Sequence, residues 1–465
     1  MRVLASIIAL LICATQIECF TPNVNANSAK KTIDTKQTSS LSFVEEARMK
    51  FSMPRPDLIV KERRLQEMQK KGFPIASSFV PDEYNPHPLL RNRHLQTILG
   101  VFLRDEEGVA YMKKSNLFQE LFPVVRAVAD ALPYILGSKD KESECDFWDK
   151  REKFNTPDGD FFHVDYKFQD PEIEGGGEAM VMIIHGLESN SNSSLCQNMA
   201  RSYEENGFDV ACINFRGCCG NPNETILQYH GGWTNDLMIF LESWRERNRN
   251  QRPMYVTGFS LGANVAMKLL GDLSMDAVDK YNIRGAAVSG APFHLQWHYR
   301  QLIDYDFNRI VYAGSVLKSM KKKLDYITER FFDGDTNTNV LDYWMCKNAT
   351  LITEIEDGMI APLYGFQDRY DYYEKTASFY VVDDIAVPTF VLNAEDDPFF
   401  NPDKFPWDKD CENGGKAPLK LVRTQHGGHL GHLFHMLGND STTPVSSFAP
   451  MQLGRFLAHV HNYAQ

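Results

Sequence analysis

The 465-residue chain predicts an α/β protein with a mostly parallel central sheet flanked by helices, and three observations carry that prediction. The run Ala179-Met180-Val181-Met182-Ile183-Ile184 has no polar alternation, the mark of a parallel strand buried on both faces. The short run Met254-Tyr255-Val256 passes through Thr257-Gly258-Phe259-Ser260-Leu261-Gly262 into the helix-like residues 265–270, a strand, tight turn and helix around one serine. Two later strand-like runs, residues 388–394 and 419–424, end in Glu395-Asp396-Asp397-Pro398 and in Gln425-His426-Gly427-Gly428-His429. Reactive groups therefore collect at predicted strand ends.

Composition narrows the classes of partner. The net charge of −12 argues against nucleic acid, which needs a concentrated positive surface. Only Lys321-Lys322-Lys323 is locally basic, and a solvated helix face accounts for it. Met1-Arg2 followed by the apolar residues 3–14 has the form of a secretory signal, assigned to residues 1–19, with a retained membrane anchor as the alternative. Residues 20–42 are rich in Ser, Thr, Asn and Lys. They read as a disordered linker after a cleaved signal, or, because Phe20 follows the signal, as similar to the bipartite presequence of algae with complex plastids. Removing Cys13 and Cys19 from nine cysteines leaves an odd, scattered set, so no disulfide framework is expected.

Residues 43–147 are expected to form a helical N-terminal extension. From Phe43 to Gln69 the pattern is amphipathic, broken at Pro54 and Pro56. Leu117 to Leu136 is apolar, but Glu120, Arg126 and Asp130 interrupt it and Pro123 and Pro133 break it. That argues against a spanning helix and leaves a surface helix resting on lipid, a route to peripheral membrane association, or on the core.

The core is expected to open at residue 148. Thr156-Pro157-Asp158-Gly159 has turn chemistry between two strand-like runs, a hairpin. The buried strand 179–184 then ends in His185-Gly186-Leu187. His185 is read as a brace for that turn rather than as a direct catalytic group. The next strand, residues 209–214, ends in Phe215-Arg216-Gly217, with Arg216 holding the loop. His230 and Asp236, around the start of the following helix, are read as capping or packing residues. Residues 284–292 make another buried strand and its exit, closing the first part of the core, 148–292.

Residues 293–387 are far longer than a strand-to-helix connection requires, and Val316, Met320, Leu324, Ile327 and Phe331 recur at helical spacing. A helical cap over the carboxyl edge of the sheet is expected. Its aromatic residues, among them His294, Trp297, Tyr299, Phe307, Tyr312, Tyr326, Phe331, Phe332, Tyr343 and Trp344, could line a site for an acyl chain. The second part of the core, 388–465, follows.

Ser260 sits between Gly258 and Gly262, as a nucleophile on a sharp turn must if strand and helix are to approach each other. An α/β-hydrolase fold places an acid and then a histidine downstream of such a serine, and the chain supplies both in that order. Attack on an ester builds charge on the carbonyl oxygen. By position, the amides of Leu187 and Leu261 are the expected oxyanion donors. Glu395, Asp396 and Asp397 are neighbouring candidates for the acid. His426, His429, His432 and His435 recur every three residues, but two glycines break the helix that a metal site at this spacing would need, and no carboxylate joins them. No metal or cofactor is called for.

Several segments carry a family resemblance. Arg91-Asn92-Arg93-His94-Leu95-Gln96-Thr97-Ile98-Leu99, Asn214-Phe215-Arg216-Gly217-Cys218-Cys219-Gly220, Tyr229-His230, Gly365-Phe366, Tyr372-Tyr373, Asp397-Pro398-Phe399 and Gly427-Gly428-His429-Leu430-Gly431 are together similar to the YheT-like, abhydrolase-domain group of α/β-hydrolases, over roughly residues 85 to 460. That group includes bacterial carboxylesterases and eukaryotic membrane-associated lipid hydrolases. The resemblance implies an esterase or lipase acting through an acyl-enzyme. It selects Asp397, directly before Pro-Phe, as the acid, with Asp396 as fallback, and His429 as the base. It favours lipid or medium-chain acyl esters as substrates. Cys219 where serine is usual, Trp233, and the segment near Leu117 are departures that leave these three residues untouched. A hydrolase-fold binding protein without turnover, or an acyltransferase using the same residues, are the competing functions. No residue pattern specifies an oligomeric state.

Overall fold

The hairpin opens the sheet. In the computed structural model, β1 (Lys150–Asn155) and β2 (Phe161–Lys167) pair antiparallel around the Asp158-Gly159 turn, with Phe154 opposite Phe162. β3 (Ala179–Ile184), β4 (Phe208–Asn214), β5 (Met254–Phe259), β6 (Ile283–Ser289), β7 (Thr389–Ala394) and β8 (Leu419–Thr424) follow, all parallel. The order across the sheet is β1-β2-β4-β3-β5-β6-β7-β8. The structure describes residues 58–86, 91–102, 147–170, 176–248, 251–433 and 448–464. The predicted signal, the linker, the Leu117 to Leu136 segment and His435 lie outside them. Among the described residues no helix is long and apolar enough to cross a membrane.

β3 is central, and its six residues are all buried. Met180, Met182 and Ile184 join one apolar cluster, while Ala179, Val181 and Ile183 join the other. The period-two alternation of a strand thus sends successive side chains into two cores, which is why the run carries no polar residue. The helices divide accordingly. α1 (Leu58–Ser78) and α2 (Arg93–Phe102) precede the sheet, α3 (Ser194–Glu204) supplies Met199 and Tyr203 to the second cluster, and α4 (Asn235–Arg247) and α5 (Leu261–Leu273) cover the first.

Between β6 and β7 lies the expected helical insertion. α6 (Gly314–Phe332), α7 (Tyr343–Asn348) and α8 (Arg369–Thr376) are joined by shorter turns, two of them π-helical, Asn308–Ala313 and Glu356–Ile360. The insertion has a core of its own, in which Met320, Leu324 and Ile327 of α6 meet Cys346, Ile355, Met359 and Tyr373. α9 (Phe448–Ala464) closes the chain, placing Phe456 and Val460 in the second cluster.

Two sequence expectations need correction. The first helix runs to Ser78, through Pro74, rather than ending at Gln69. Tertiary contacts outweigh the proline: the Gln69 side chain donates to the carbonyls of Asp383 and Ile385, and Gly72 packs against Pro418. The Lys321–Lys323 run is not one solvated face. Lys322 is exposed, but Lys321 donates to the Ala349 carbonyl and Lys323 pairs with Glu188 at 2.8 Å, because successive helical positions are about 100° apart.

Candidate active site

Ile184 of β3 and Gly258 of β5 are register partners, so the turns leaving these two strands emerge side by side. Ser260 caps α5 with φ 54° and ψ −125°, a left-handed backbone that is strained for a residue with a Cβ. The flanking glycines make that turn affordable. A Cβ at Gly262 would stand 2.2 Å from the Ile184 carbonyl oxygen, and one at Gly258 would stand 2.6 Å from the Gly262 oxygen. The Ser260 amide donates to the Ser289 carbonyl, tying the turn to β6.

The three separated side chains meet here. Ser260 Oγ lies 2.9 Å from His429 Nε2, and His429 Nδ1 lies 2.8 Å from Asp397 Oδ2. Asp397 is 2% exposed, and its other oxygen accepts from the Phe399 amide at 2.8 Å. Phe399 stacks on the His429 ring with centroids 4.0 Å apart, and Phe400 closes its edge at 5.3 Å. The imidazole is held in one plane, with a carboxylate behind it and a hydroxyl in front. Such an arrangement can accept the hydroxyl proton as the oxygen attacks a carbonyl carbon.

The neighbouring candidates serve other purposes. Asp396 accepts from the Gly428 amide at 2.8 Å and faces His426, so it holds the glycine turn rather than the His429 ring. The His432 ring packs by the same turn, 3.0 Å from Thr424 Oγ1. His185 is fully buried. Its Nδ1 bonds the Gly186 carbonyl and its Nε2 accepts from the Phe215 amide, which braces the turn carrying Leu187. Burial holds His185 down at about 4, so it stays neutral at neutral pH. Arg216 is bidentate to Asp236 and also pairs with Asp158, locking the hairpin turn to α4. His230 fits the capping and packing reading, its Nδ1 accepting from the Gly232 amide and its ring set among Trp233, Tyr364 and Tyr372, and it also lines the cavity described next.

Leu187, Ser260 and Leu261 all line one cavity of about 310 Å³. Leu261 is the first residue of α5, so its amide belongs to the helix end that lacks intrahelical partners. The cavity's other walls come from the cap and from the strand ends. They include Leu295, Leu302, Ile303, Val316, Met320, Ile360, Tyr229, Tyr372 and Phe399. Of the ten cap aromatics singled out in the sequence, Tyr299 and Tyr312 reach this lining. Others are spent elsewhere: Trp344 is exposed, Tyr326 donates to the Asn223 carbonyl, and His294 stacks on Trp297. Glu356 is a carboxyl in this apolar wall, bonded by the Tyr373 hydroxyl, and burial pushes it up to about 7.

Sequence reasoning missed what holds His429 in place. The His429 amide donates to Thr97 Oγ1 at 2.8 Å, and the Leu433 amide donates to Gln96 Oε1 at 2.7 Å. The glycines of the histidine turn are pressed on the same helix. A Cβ at Gly428 would meet the Arg93 oxygen at 2.5 Å, and one at Gly431 would meet the Gln96 oxygen at 2.2 Å. The signal was present in the His94-Leu95-Gln96-Thr97 motif, but its partner lies 332 positions away.

Residues 176–429, more than half of the chain, match the family described as Serine aminopeptidase, S33 (Hydrolase_4). The chain is 29% identical over 294 residues to the putative esterase YheT of Escherichia coli, covering 62% of this chain and 78% of that protein. It is 27% identical over 271 residues to a monoacylglycerol lipase of Saccharomyces cerevisiae, covering 57% of this chain and 58% of that protein. It is 26% identical over 287 residues to the medium-chain fatty acid ethyl ester synthase/esterase 2 of the same yeast, covering 58% of this chain and 61% of that protein. The chain thus spans less than two thirds of either yeast protein.

Proposed function

Because the chain belongs to the Serine aminopeptidase, S33 family, in the YheT-like group of the α/β-hydrolase superfamily, and is a carboxylic ester hydrolase, we propose that Ser260, His429 and Asp397 are its catalytic triad and that hydrophobic acyl esters are its substrates. The observation carrying this reading is the continuous chain of contacts from Asp397 through His429 to Ser260 Oγ, opening directly into an apolar cavity.

Ser260 Oγ attacks the ester carbonyl while His429 Nε2 takes its proton, and the buried Asp397 carboxylate stabilises the imidazolium that results. Negative charge forms on the carbonyl oxygen and is met by the amides of Leu187 and Leu261, each donor of this kind contributing about 3 kcal/mol to the barrier reduction. Collapse of the tetrahedral intermediate breaks the bond to the leaving alkoxide, which His429 protonates. Water then attacks the acyl-enzyme by the same route in reverse, releasing the acid. Every step uses side chains and amides of this chain.

The family description names a peptidase, but amide and ester cleavage share this attack, and the relatives' names favour esters. A cavity of about 310 Å³ walled by Leu, Ile, Met and aromatic side chains suits a lipid or medium-chain acyl group. Acyl transfer to an alcohol is the second reading, favoured by the synthase/esterase relative.

Labelling with a fluorophosphonate tests the assignment. Wild type is expected to react at Ser260 and Ser260→Ala to remain unlabelled. A chain-length series of 4-nitrophenyl esters is expected to peak in kcat/KM above acetyl, and adding ethanol to divert product to ethyl ester only if transfer competes with water. Labelling that survives Ser260→Ala would refute the assignment.

A further inference from the structure

Glu188, Ser319 and Lys323 take no part in the steps above, yet they meet from two separate parts of the chain. Glu188 follows Leu187 directly and has φ 54°, a left-handed backbone that must be held by its surroundings. Its carboxylate is mostly enclosed, with 13% of the side chain exposed. Lys323 Nζ donates to Oε1 at 2.8 Å, and the Tyr229 hydroxyl donates to the same oxygen at 2.9 Å. Ser319 Oγ donates to Oε2, and the Glu188 amide donates to the Tyr229 oxygen at 2.7 Å. Ser319 and Lys323 are four positions apart on α6, so one face of a cap helix grips the loop that carries Leu187. Lys323 Nζ also stands 4.9 Å from the centre of the Tyr229 ring.

These contacts lie behind the site. Leu187 and Ser189, on either side of Glu188, line the cavity, whereas the Glu188 carboxylate is turned to α6. An enclosed ion pair of this kind is a weak source of net stability, because desolvation offsets the attraction. The loop it joins to α6 carries the amide assigned to the oxyanion.

We propose that Glu188, Ser319 and Lys323 form a clamp that sets the Leu187 amide in its oxyanion-binding position only while the cap is seated on the sheet, making the two cap residues positioning residues for ester hydrolysis. This rests on the assignment of Ser260 as nucleophile and Leu187 as oxyanion donor. A donor displaced by about 1 Å loses most of its effect on a developing charge, while binding of the uncharged ester hardly changes. The clamp therefore acts on kcat.

The test uses the full chain, 4-nitrophenyl ester turnover, and a trifluoromethyl ketone that forms a tetrahedral adduct, with rates expressed per site titrated by fluorophosphonate. Lys323→Met is expected to lower kcat about 100-fold with KM within about threefold, and to weaken the ketone by the same factor as kcat. Ser319→Ala, which removes an uncharged contact and spares the fold, shows the same pattern at about tenfold. Lys323→Arg recovers most of the loss. Wild-type kcat per titrated site in both Lys323→Met and Ser319→Ala would overturn the clamp alone. Wild-type turnover without labelling at Ser260 would overturn the clamp together with the assignment beneath it.

Discussion

The two walls of the cavity are built in different ways. Below Ser260 the sheet edge is backbone close to backbone: the carbonyls of Ile184 and His185 leave no room for a Cβ at Gly262, and those of Arg93 and Gln96 on α2 leave none at Gly428 and Gly431. Above it, the cap is side chain against side chain, with Met320, Leu324 and Ile327 packed on Ile355, Met359 and Tyr373. Contacts of the first kind admit only glycine, and they leave a mark at fixed spacing. Contacts of the second kind accept many apolar shapes of similar volume, and they leave only a helical recurrence of apolar positions that does not say which side chain lines the cavity.

The largest effect is expected on the proton path along the lower wall. Asp397→Asn should lower kcat about 10⁴-fold with the fold intact, since an amide fixes the wrong imidazole tautomer. Steady-state kinetics and circular dichroism check both halves. A smaller loss would mean that another carboxylate, with Asp396 nearest, serves His429.

Gly262→Ala breaks the backbone contact itself. Its Cβ would lie 2.2 Å from the Ile184 oxygen and 2.3 Å from the His185 oxygen, neither of which can move without parting β3 from α5. A destabilisation of about 4 kcal/mol or more is expected in denaturant unfolding.

The upper wall has a pH signature. Burial holds Glu356 at about 7 against an ordinary 4.5. Between those values the folded chain binds more protons than the unfolded one. The stability Glu356 contributes is therefore full below about 4.5 and is lost as pH rises through about 7, a change of about 3 kcal/mol. Glu356→Gln should flatten that slope in melts taken from pH 4.5 to 7.5.

Thr97→Ala cuts the hydrogen bond to the His429 amide. It should cost about 1 kcal/mol of transition-state stabilisation, near fivefold in kcat, with Thr97→Ser retaining activity. Gly314→Ala completes the comparison on the cap. A Cβ there would meet only the Arg309 oxygen at 3.7 Å, and the backbone is already helical, so a gain of about 0.5–1 kcal/mol is expected where the same substitution at Gly262 is ruinous.

The same contrast explains what could be read without coordinates. The strands were legible because β3, β5 and β7 are buried on both faces and are mostly apolar, with Thr257, Thr389 and Asn393 as their buried polar exceptions. Ser260 was legible from the steric demand that Gly258 and Gly262 meet, whereas Asp397 and His429 were picked out from neighbouring candidates only by the family resemblance of Asp397-Pro398-Phe399 and Gly427-Gly428-His429-Leu430-Gly431. Thr97 was not, because a hydroxyl to a backbone amide 332 positions away leaves no periodicity. Lys323 was not, because three adjacent lysines look alike until the phase of α6 against Glu188 is known. The cap aromatics misled for a related reason. Composition counts rings, whereas helix phase decides whether a ring such as Trp344 faces solvent or one such as Tyr312 faces the cavity.

One hydroxyl, that of Ser260, is expected to become covalently acylated during turnover. Rapid quench with a 4-nitrophenyl ester, followed by peptide mass spectrometry, tests it most directly. An acyl adduct on the peptide containing Ser260 is expected to form in step with the first release of nitrophenol and to be missing from Ser260→Ala. Steady turnover with no adduct, or an adduct on another residue, would contradict it.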